Sequence, residues 1–206
     1  LRQAIADYLY KYRSVHCTAA QIIVGAGIEY LLMILNVLFD SDSLFAMENP
    51  GYPKVYQTIT NCGRTVEPIN VTDTGIDIAT LRQSKADIVY VTPSHQFPTG
   101  VVMPIGKRLE LLRWADEKPN RFIIEDDYDS ELKFTGKPIP SLQGIDTAGK
   151  VAYIGTFSRS IAPSVRIAYL VLPPILLQKY QALCFHYSPT VSRFEQHTLF
   201  QFIKGG

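Results

Sequence analysis

The segment GTFSRSIAPSVRIAYLVLP (155–173) carries hydroxyl and guanidinium groups at close spacing. Thr156 and Ser158 precede Arg159, and Arg166 follows at the start of an apolar run. Hydroxyls combined with a guanidinium are a common means of binding a phosphate dianion. The segment therefore predicts a phosphate site. An ordinary Ser/Thr-rich loop between two strands is the alternative.

A second stretch, VGAGIEYLL (24–32), leads from an apolar run through two glycines into a helical pattern. Gly25 and Gly27 allow a tight turn, and the amides of Ile28 and Glu29 at the helix start can receive a phosphate. The dinucleotide-binding fingerprint is incomplete here, because a tyrosine stands at the position of its third glycine. An ordinary strand-to-helix turn is therefore the alternative.

The third stretch, FIIEDDYDSE (122–131), is an apolar run that ends in a group of acids. A partly shielded carboxylate at a strand end can hold a protonated pyridine nitrogen, a magnesium ion or an arginine. The phenol of Tyr128 favours the first of these, because it can donate a hydrogen bond to a ring oxygen. A solvated acidic loop and a hard-metal site are the alternatives.

These stretches follow apolar, β-branched runs that alternate with helical patterns. We predict strands at 21–24, 43–47, 65–69, 87–91, 121–125, 151–155 and 165–171. We predict helices near 28–39, 53–62, 77–84, 105–117 and 174–204. The alternation is typical of βαβ units and predicts an α/β fold with a mostly parallel central sheet and helices on both faces. Ligands bind at the carboxyl ends of such strands, which is where the chemically interesting residues cluster.

Composition narrows the function classes. The chain has 206 residues, 47% of them hydrophobic, which is enough for one substantial core, and we predict a single domain over 1–206. The net charge of +1 shows no electrostatic signal for nucleic acid, so we expect no DNA binding by this segment itself. The longest apolar run (31–39) is too short to cross a bilayer, and we expect a cytoplasmic protein without membrane contact.

The cysteines and histidines predict no disulfide framework and no metal site. Cys17, Cys62 and Cys184 are far apart and odd in number, which favours reduced, partly buried thiols. The four histidines show no metal-ligand spacing. The chain begins inside a helical pattern and stops after one, so we expect a fragment of a longer protein.

Five motifs, taken in order, resemble the large domain of fold-type-I aminotransferases that depend on pyridoxal 5'-phosphate (PLP). They are GAGIE (25–29), ENPGYP (48–53), TPSHQFPTG (92–100), EDDYDSE (125–131) and TFSRSIAPSVRIAYLV (156–171). More narrowly, the wording of the second, third and fourth motifs resembles the aminotransferase-like domain of MocR-type transcriptional regulators of the GntR family. The resemblance covers nearly the whole chain and implies a three-layer α/β/α fold that binds PLP.

The resemblance also implies roles for individual residues. Tyr52 would stack on the pyridine ring and Tyr128 would bind the ring hydroxyl oxygen. Asp126 would pair with the ring nitrogen and keep it protonated, so that the ring acts as an electron sink. The residues that would hold the phosphate are Gly27, Ile28, Glu29, Thr156, Ser158 and Arg166.

Two further residues lie in the same motifs. Lys54 could reach the carboxylate of a substrate or effector, with a solvated surface lysine as the alternative. His95 has either a chemical role or a structural hydrogen bond.

The chain departs from the aminotransferase pattern at three points. The family has a reactive lysine at the position of Arg159, and its amine forms a Schiff base with the cofactor aldehyde. Arginine stays protonated and offers only donors, so we expect no covalent PLP catalysis. Phe97 stands where aminotransferases commonly have an asparagine. It follows His95 and Gln96, a pair that the regulators share. The family's C-terminal domain and the regulators' winged helix are not found in these 206 residues.

Two functions follow from the resemblance, besides a scaffold without cofactor. The favoured one is an effector-sensing domain, in which PLP and a small amino compound change the orientation of DNA-binding modules located outside this chain. The other is an amino-acid aminotransferase in a lysine-bearing, full-length form. By analogy with the family, we expect a homodimer.

Overall fold

The structure is a computed structural model that describes residues 1–129, 139–157 and 166–205. Within these residues eight strands form one sheet in the order β1-β8-β7-β6-β5-β2-β3-β4. Their bounds are β1 Ile22–Gly25, β2 Phe45–Asn49, β3 Val66–Thr72, β4 Gly75–Ile76, β5 Ile88–Val91, β6 Phe122–Asp127, β7 Val151–Thr156 and β8 Ala168–Val171. Seven of these strands correspond to predicted ones, and the two-residue strand β4 was not predicted.

Eight α-helices accompany the sheet in the described ranges. They are α1 Arg2–Arg13, α2 Ile28–Leu38, α3 Pro53–Asn61, α4 Ile78–Gln83, α5 Ile105–Asp116, α6 Leu142–Ile145, α7 Pro174–Leu183 and α8 Arg193–Gly205. None of them has both the length and the apolar character that a membrane crossing requires.

The sheet is mixed, and its central part is parallel. Strands β3, β2, β5, β6 and β7 pair in parallel, whereas β8 is antiparallel to both β7 and β1, and β4 is antiparallel to β3. Of the eight strands in the described residues, six therefore run in one direction, and β4 and β8 oppose them. This arrangement, with helices on both faces, confirms the predicted α/β class.

Helices cover both faces because the central strands are apolar on both sides. All four residues of β5 are buried. Tyr90 packs in the cluster that includes residues of α2 and α3, and Val89 and Val91 pack in the cluster that includes residues of α4 and α5. A third cluster joins α1 and α8 to β1, β7 and β8. Side chains of successive strand residues point to opposite faces, so each central strand contributes to two cores.

The prediction of one continuous final helix over 174–204 was wrong. The helix ends at Leu183, and a second one begins at Arg193. Pro189 lies between them, where its ring and missing N–H disfavour a continuous helix. The hydroxyl of Thr190 in this connection accepts a hydrogen bond from the Ala26 amide, at 3.0 Å. The connection between the two helices therefore also contacts the turn before α2.

Candidate functional site

A cavity of about 300 Å³ opens at the carboxyl ends of the parallel strands. Its lining includes eight of the ten predicted site residues, namely Gly27, Ile28, Glu29, Tyr52, Asp126, Tyr128, Thr156 and Arg166. The other two, Ser158 and Arg159, lie outside the described residues. Residues that are distant in sequence converge here because parallel strands place their ends at one edge of the sheet.

One wall of the cavity combines the start of α2 with Arg166. Gly27 precedes the helix with φ of 93°, a conformation that favours glycine. A Cβ atom at Gly27 would lie 2.8 Å from Arg166 Nη2, so the guanidinium sits directly against the helix N-terminus. Thr156 also lines this wall, and its hydroxyl lies 3.3 Å from the Ile167 carbonyl oxygen. The amides at a helix start and a guanidinium both attract anions.

The carboxylate of Glu29 pairs with both cations of this wall. Arg166 Nη2 lies 3.1 Å from Glu29 Oε2, and Lys54 forms an ion pair with Glu29 Oε1. Partial burial opposes ionisation, but the hydrogen bond from Lys54 and the charges of Lys54 and Arg166 lower the pKa of Glu29. Lys54 is therefore paired at the cavity, although half of its side chain remains exposed.

Strand β6 ends in two aspartates that point to different faces of the sheet. Asp126 lines the cavity. Asp127 faces the other core, where Arg13 Nη2 lies 2.6 Å from its Oδ2 and the Tyr153 hydroxyl donates to the same atom at 2.6 Å. The alternation of strand side chains separates the two carboxylates. They cannot hold one metal ion together, which removes the basis of the hard-metal alternative at this pair.

Asp126 is a buried carboxyl group with a neutral partner. The hydroxyl of Tyr90 donates to its Oδ2, and no basic side chain of the described residues forms an ion pair with it. Burial, aided by the nearby acids Asp127, Asp129 and Glu48, raises the pKa of Asp126 to about 7, against the hydrogen bond from Tyr90. A cation brought into the cavity would stabilise the ionised form.

Three aromatic residues, Tyr52, Phe97 and Tyr128, belong to the lining of the cavity. The rings of Tyr52 and Phe97 meet edge to face, with their centroids 5.3 Å apart. Tyr128 donates its hydroxyl proton to the His95 carbonyl oxygen at 2.9 Å, and the two rings stack. His95 Nδ1 also contacts the buried carboxylate of Asp129. His95 thus has a structural partner, which was one of its two predicted interpretations.

Sequence reasoning missed two buried residues, Tyr90 in the lining of the cavity and Glu48, which binds the lining residue Thr92. Tyr90 lines the cavity but lies inside an apolar strand, so it carried no chemical signal. Glu48 accepts hydrogen bonds from the Thr92 amide at 3.0 Å and the Thr92 hydroxyl at 2.8 Å, both at Oε2. Burial raises the pKa of Glu48 to about 7. An acid at the end of the apolar run SLFAM was the signal that could have identified it.

Comparisons with known proteins agree with this geometry. A family model for aminotransferase class I and II matches residues 1–194. The uncharacterized HTH-type transcriptional regulator YdeL of Bacillus subtilis (strain 168) is 47% identical over 206 residues, which cover 100% of this chain and 44% of that protein. The probable rhizopine catabolism regulatory protein MocR of Rhizobium meliloti is 36% identical over 207 residues, with 100% and 42% covered.

Among solved structures, the Pyrococcus horikoshii kynurenine aminotransferase in complex with PMP has a TM-score of 0.83 and 25% identity. The match covers 100% of this chain and 53% of that one. The chain spans less than half the length of the two regulators. From the matched residues, the sheet order and the cavity at its carboxyl edge, we conclude that this chain belongs to the class I and II aminotransferase family and is an aminotransferase-like domain of the kind found in MocR-type regulators.

Proposed function

We propose that this chain is the PLP-binding, effector-sensing domain of a MocR-type transcriptional regulator. One observation carries the proposal: the lining of a cavity of suitable size combines the N-terminus of α2 and Arg166, which attract anions, with a buried carboxyl group that lacks a cationic partner among the described residues. PLP has the matching charges, a phosphate at one end and a protonated ring nitrogen at the other. When bound, it supplies an aldehyde that reacts with amines and a ring that withdraws electrons.

The α2 wall fits a phosphate group. The amides of Ile28 and Glu29, the Thr156 hydroxyl and the Arg166 guanidinium would be the donors, with Gly27 leaving room for them because it lacks a Cβ. Glu29 now supplies the negative charge for Arg166, as a carboxylate. A phosphate would share or replace that partner, so its binding is expected to loosen the Arg166–Glu29 pair.

Other residues of the lining fit the ring. Asp126 would pair with the ring nitrogen, and the ring of Tyr52, a lining residue that is 38% exposed, would cover the face of the pyridine. Tyr128 belongs to the same lining, and its hydroxyl, which donates to the His95 carbonyl oxygen, would contact the ring oxygen. Pairing with a cation would shift Asp126 to its ionised form, since its pKa stands near 7 without one.

Arg159 favours sensing over turnover. A guanidinium remains protonated and cannot attack an aldehyde, so this residue would hold the cofactor only as a fixed cation. A small amino compound would then be the effector that occupies the rest of the cavity. The relatives named above are regulators, which supports a sensory role, with DNA binding performed by another part of the full-length protein.

Replacement of Asp126 tests the cofactor site. We expect Asp126→Ala to weaken PLP binding roughly 10- to 150-fold, which corresponds to the ~1.5–3 kcal/mol of a charged hydrogen bond. The full-length protein would be titrated with PLP and followed by absorbance and calorimetry. Asp116→Ala, at the exposed end of α5, is the matched control and should bind normally.

A PLP analogue with carbon in place of the ring nitrogen sharpens the test. It should bind wild type and Asp126→Ala with similar affinity, because it offers no nitrogen to the carboxylate. Equal PLP affinity of wild type and Asp126→Ala would refute this placement of the ring, and no PLP binding by wild type would refute the proposed cofactor.

A further inference from the structure

Strand β6 ends in two adjacent aspartates, each with a buried tyrosine as hydrogen-bond donor. Tyr153 donates to Asp127 at 2.6 Å, and Tyr90 donates to Asp126. Asp127 also has the guanidinium of Arg13 at 2.6 Å, so its charge is neutralised within the fold. Asp126 has no such cation among the described residues. The two pairs share their chemistry but differ in that the negative charge of Asp126 is left for a ligand.

The packing of Tyr90 fixes the direction of its hydroxyl. Tyr90 is 1% exposed, lies in β5 and pairs with Ile124 of the neighbouring parallel strand. Its ring packs in the core cluster that also contains Ile88 and Ile154, which leaves it little freedom to turn. The hydroxyl engages Oδ2 of Asp126, while Oδ1 accepts no hydrogen bond from a described residue. Tyr90 thereby orients the carboxylate and leaves one oxygen for the cavity.

The charges around Asp126 show what Tyr90 opposes. Burial raises the pKa of this carboxyl group most strongly, and the acids Asp127 and Asp129, from β6 and the residues after it, and Glu48, from β2, add to that effect. The Tyr90 hydrogen bond works in the opposite direction. A tyrosine hydroxyl that donates to a carboxylate favours its ionised form.

We propose that Tyr90 is a positioning residue for the cofactor ring: it favours the ionised form of Asp126 and orients the carboxylate so that Oδ1 can meet a protonated ring nitrogen. This inference rests on the proposed PLP site. It concerns the residue that prepares Asp126 to recognise the charge of the ring nitrogen. Tyr90 itself would act through Asp126 and not on the reacting atoms.

Tyr90→Phe removes only the hydroxyl and is the direct test. We expect PLP affinity at pH 7 to fall about tenfold, since a hydrogen bond to a charged group is lost. Affinity should also begin to fall at a higher pH than in wild type as the solution is acidified, because Asp126 without its donor takes up a proton more readily. The difference should narrow at alkaline pH, where the carboxyl group is ionised in both proteins.

Tyr153→Phe is the matched control. It removes the same kind of hydrogen bond from the neighbouring Asp127, on the face away from the cavity, where Arg13 remains as partner. This variant should keep the wild-type PLP affinity and the wild-type pH profile. Inorganic phosphate, titrated over the same pH range, should bind all three proteins alike, which corrects for phosphate ionisation and verifies that each variant is folded.

The Asp126→Asn background separates a positioning role from a merely structural one. Tyr90→Phe should have little further effect on PLP affinity there, because the charge that Tyr90 supports is already gone. An unchanged PLP affinity and pH profile in Tyr90→Phe, or an equal shift in Tyr153→Phe, would overturn the inference. The proposed function would still stand in that case, provided that wild type binds PLP. Absence of PLP binding in wild type would instead defeat the proposed function itself.

Discussion

At the scale of single residues, we expect Arg166 to contribute little to folding and much to ligand binding. Its side chain is 55% exposed and its ion pair with Glu29 is of the kind that contributes ~0–1 kcal/mol to folding. We therefore expect Arg166→Ala to fold normally but to bind both PLP and inorganic phosphate roughly 10- to 150-fold more weakly, from the lost charged hydrogen bonds. Calorimetric titration of both ligands measures this.

Arg82 provides a matched control for that variant. It is also a partly exposed arginine with acidic partners, Glu110 and Glu117, but it lies in α4, which does not line the cavity. Arg82→Ala should bind both ligands as wild type does. If Arg166→Ala binds them equally well, the phosphate site lies elsewhere.

At the scale of elements, the strands were predictable because buried strands of a parallel sheet are continuous apolar runs. The run DIVYV predicted β5, and the structure places β5 at Ile88–Val91. The chemistry of Tyr90 was not predictable, since only the pairing of β5 with β6 brings its hydroxyl to Asp126. The motif residues Asp126 and Arg166 were predicted because their types stand out beside apolar runs, Asp126 at the end of one and Arg166 at the start of another.

The same limit applies to helix α1. A helical pattern predicted the helix but not its role. Arg13 reads as an ordinary charged residue at the end of a surface helix, yet its side chain is 9% exposed and reaches Asp127 and the Ser94 hydroxyl. Long-range contacts of this kind, 114 positions apart, are determined by the packing of α1 on the sheet.

Arg13 therefore ties α1 to the strand that carries Asp126. We expect Arg13→Ala to lower the free energy of unfolding by roughly 3–5 kcal/mol, because it leaves the fully buried Asp127 without a counter-charge. Urea denaturation measures the loss. The double variant Arg13→Met/Asp127→Asn should recover much of it, since no uncompensated charge remains. A loss of under ~1 kcal/mol in Arg13→Ala, as expected for an exposed pair, would contradict this account.

At the scale of the whole molecule, the sheet acts as a platform that presents one cavity at its carboxyl edge. Its lining comes from segments that are far apart in sequence, among them the start of α2, Arg166 and the end of β6. The chain spans 44% of the YdeL protein. Under the proposed function, a link between cavity occupancy and DNA binding would involve parts of the full-length protein outside these residues. The choice between sensor and enzyme is therefore tested on the full-length protein.

Arg159→Lys in the full-length protein tests that choice. Lysine can attack an aldehyde where arginine cannot, so we expect borohydride reduction in the presence of PLP to attach the cofactor to residue 159 in this variant and not in wild type. Peptide mass spectrometry measures the attachment, and Arg159→Gln, which has no amine, is the control. As a sensor, the lysine variant should still convert no more than about one equivalent of an amino donor with a keto acid, because the proposed function of the cavity is binding and not turnover. Conversion of many equivalents would favour the aminotransferase alternative. If the lysine does not become attached, residue 159 does not lie within reach of the cofactor's aldehyde.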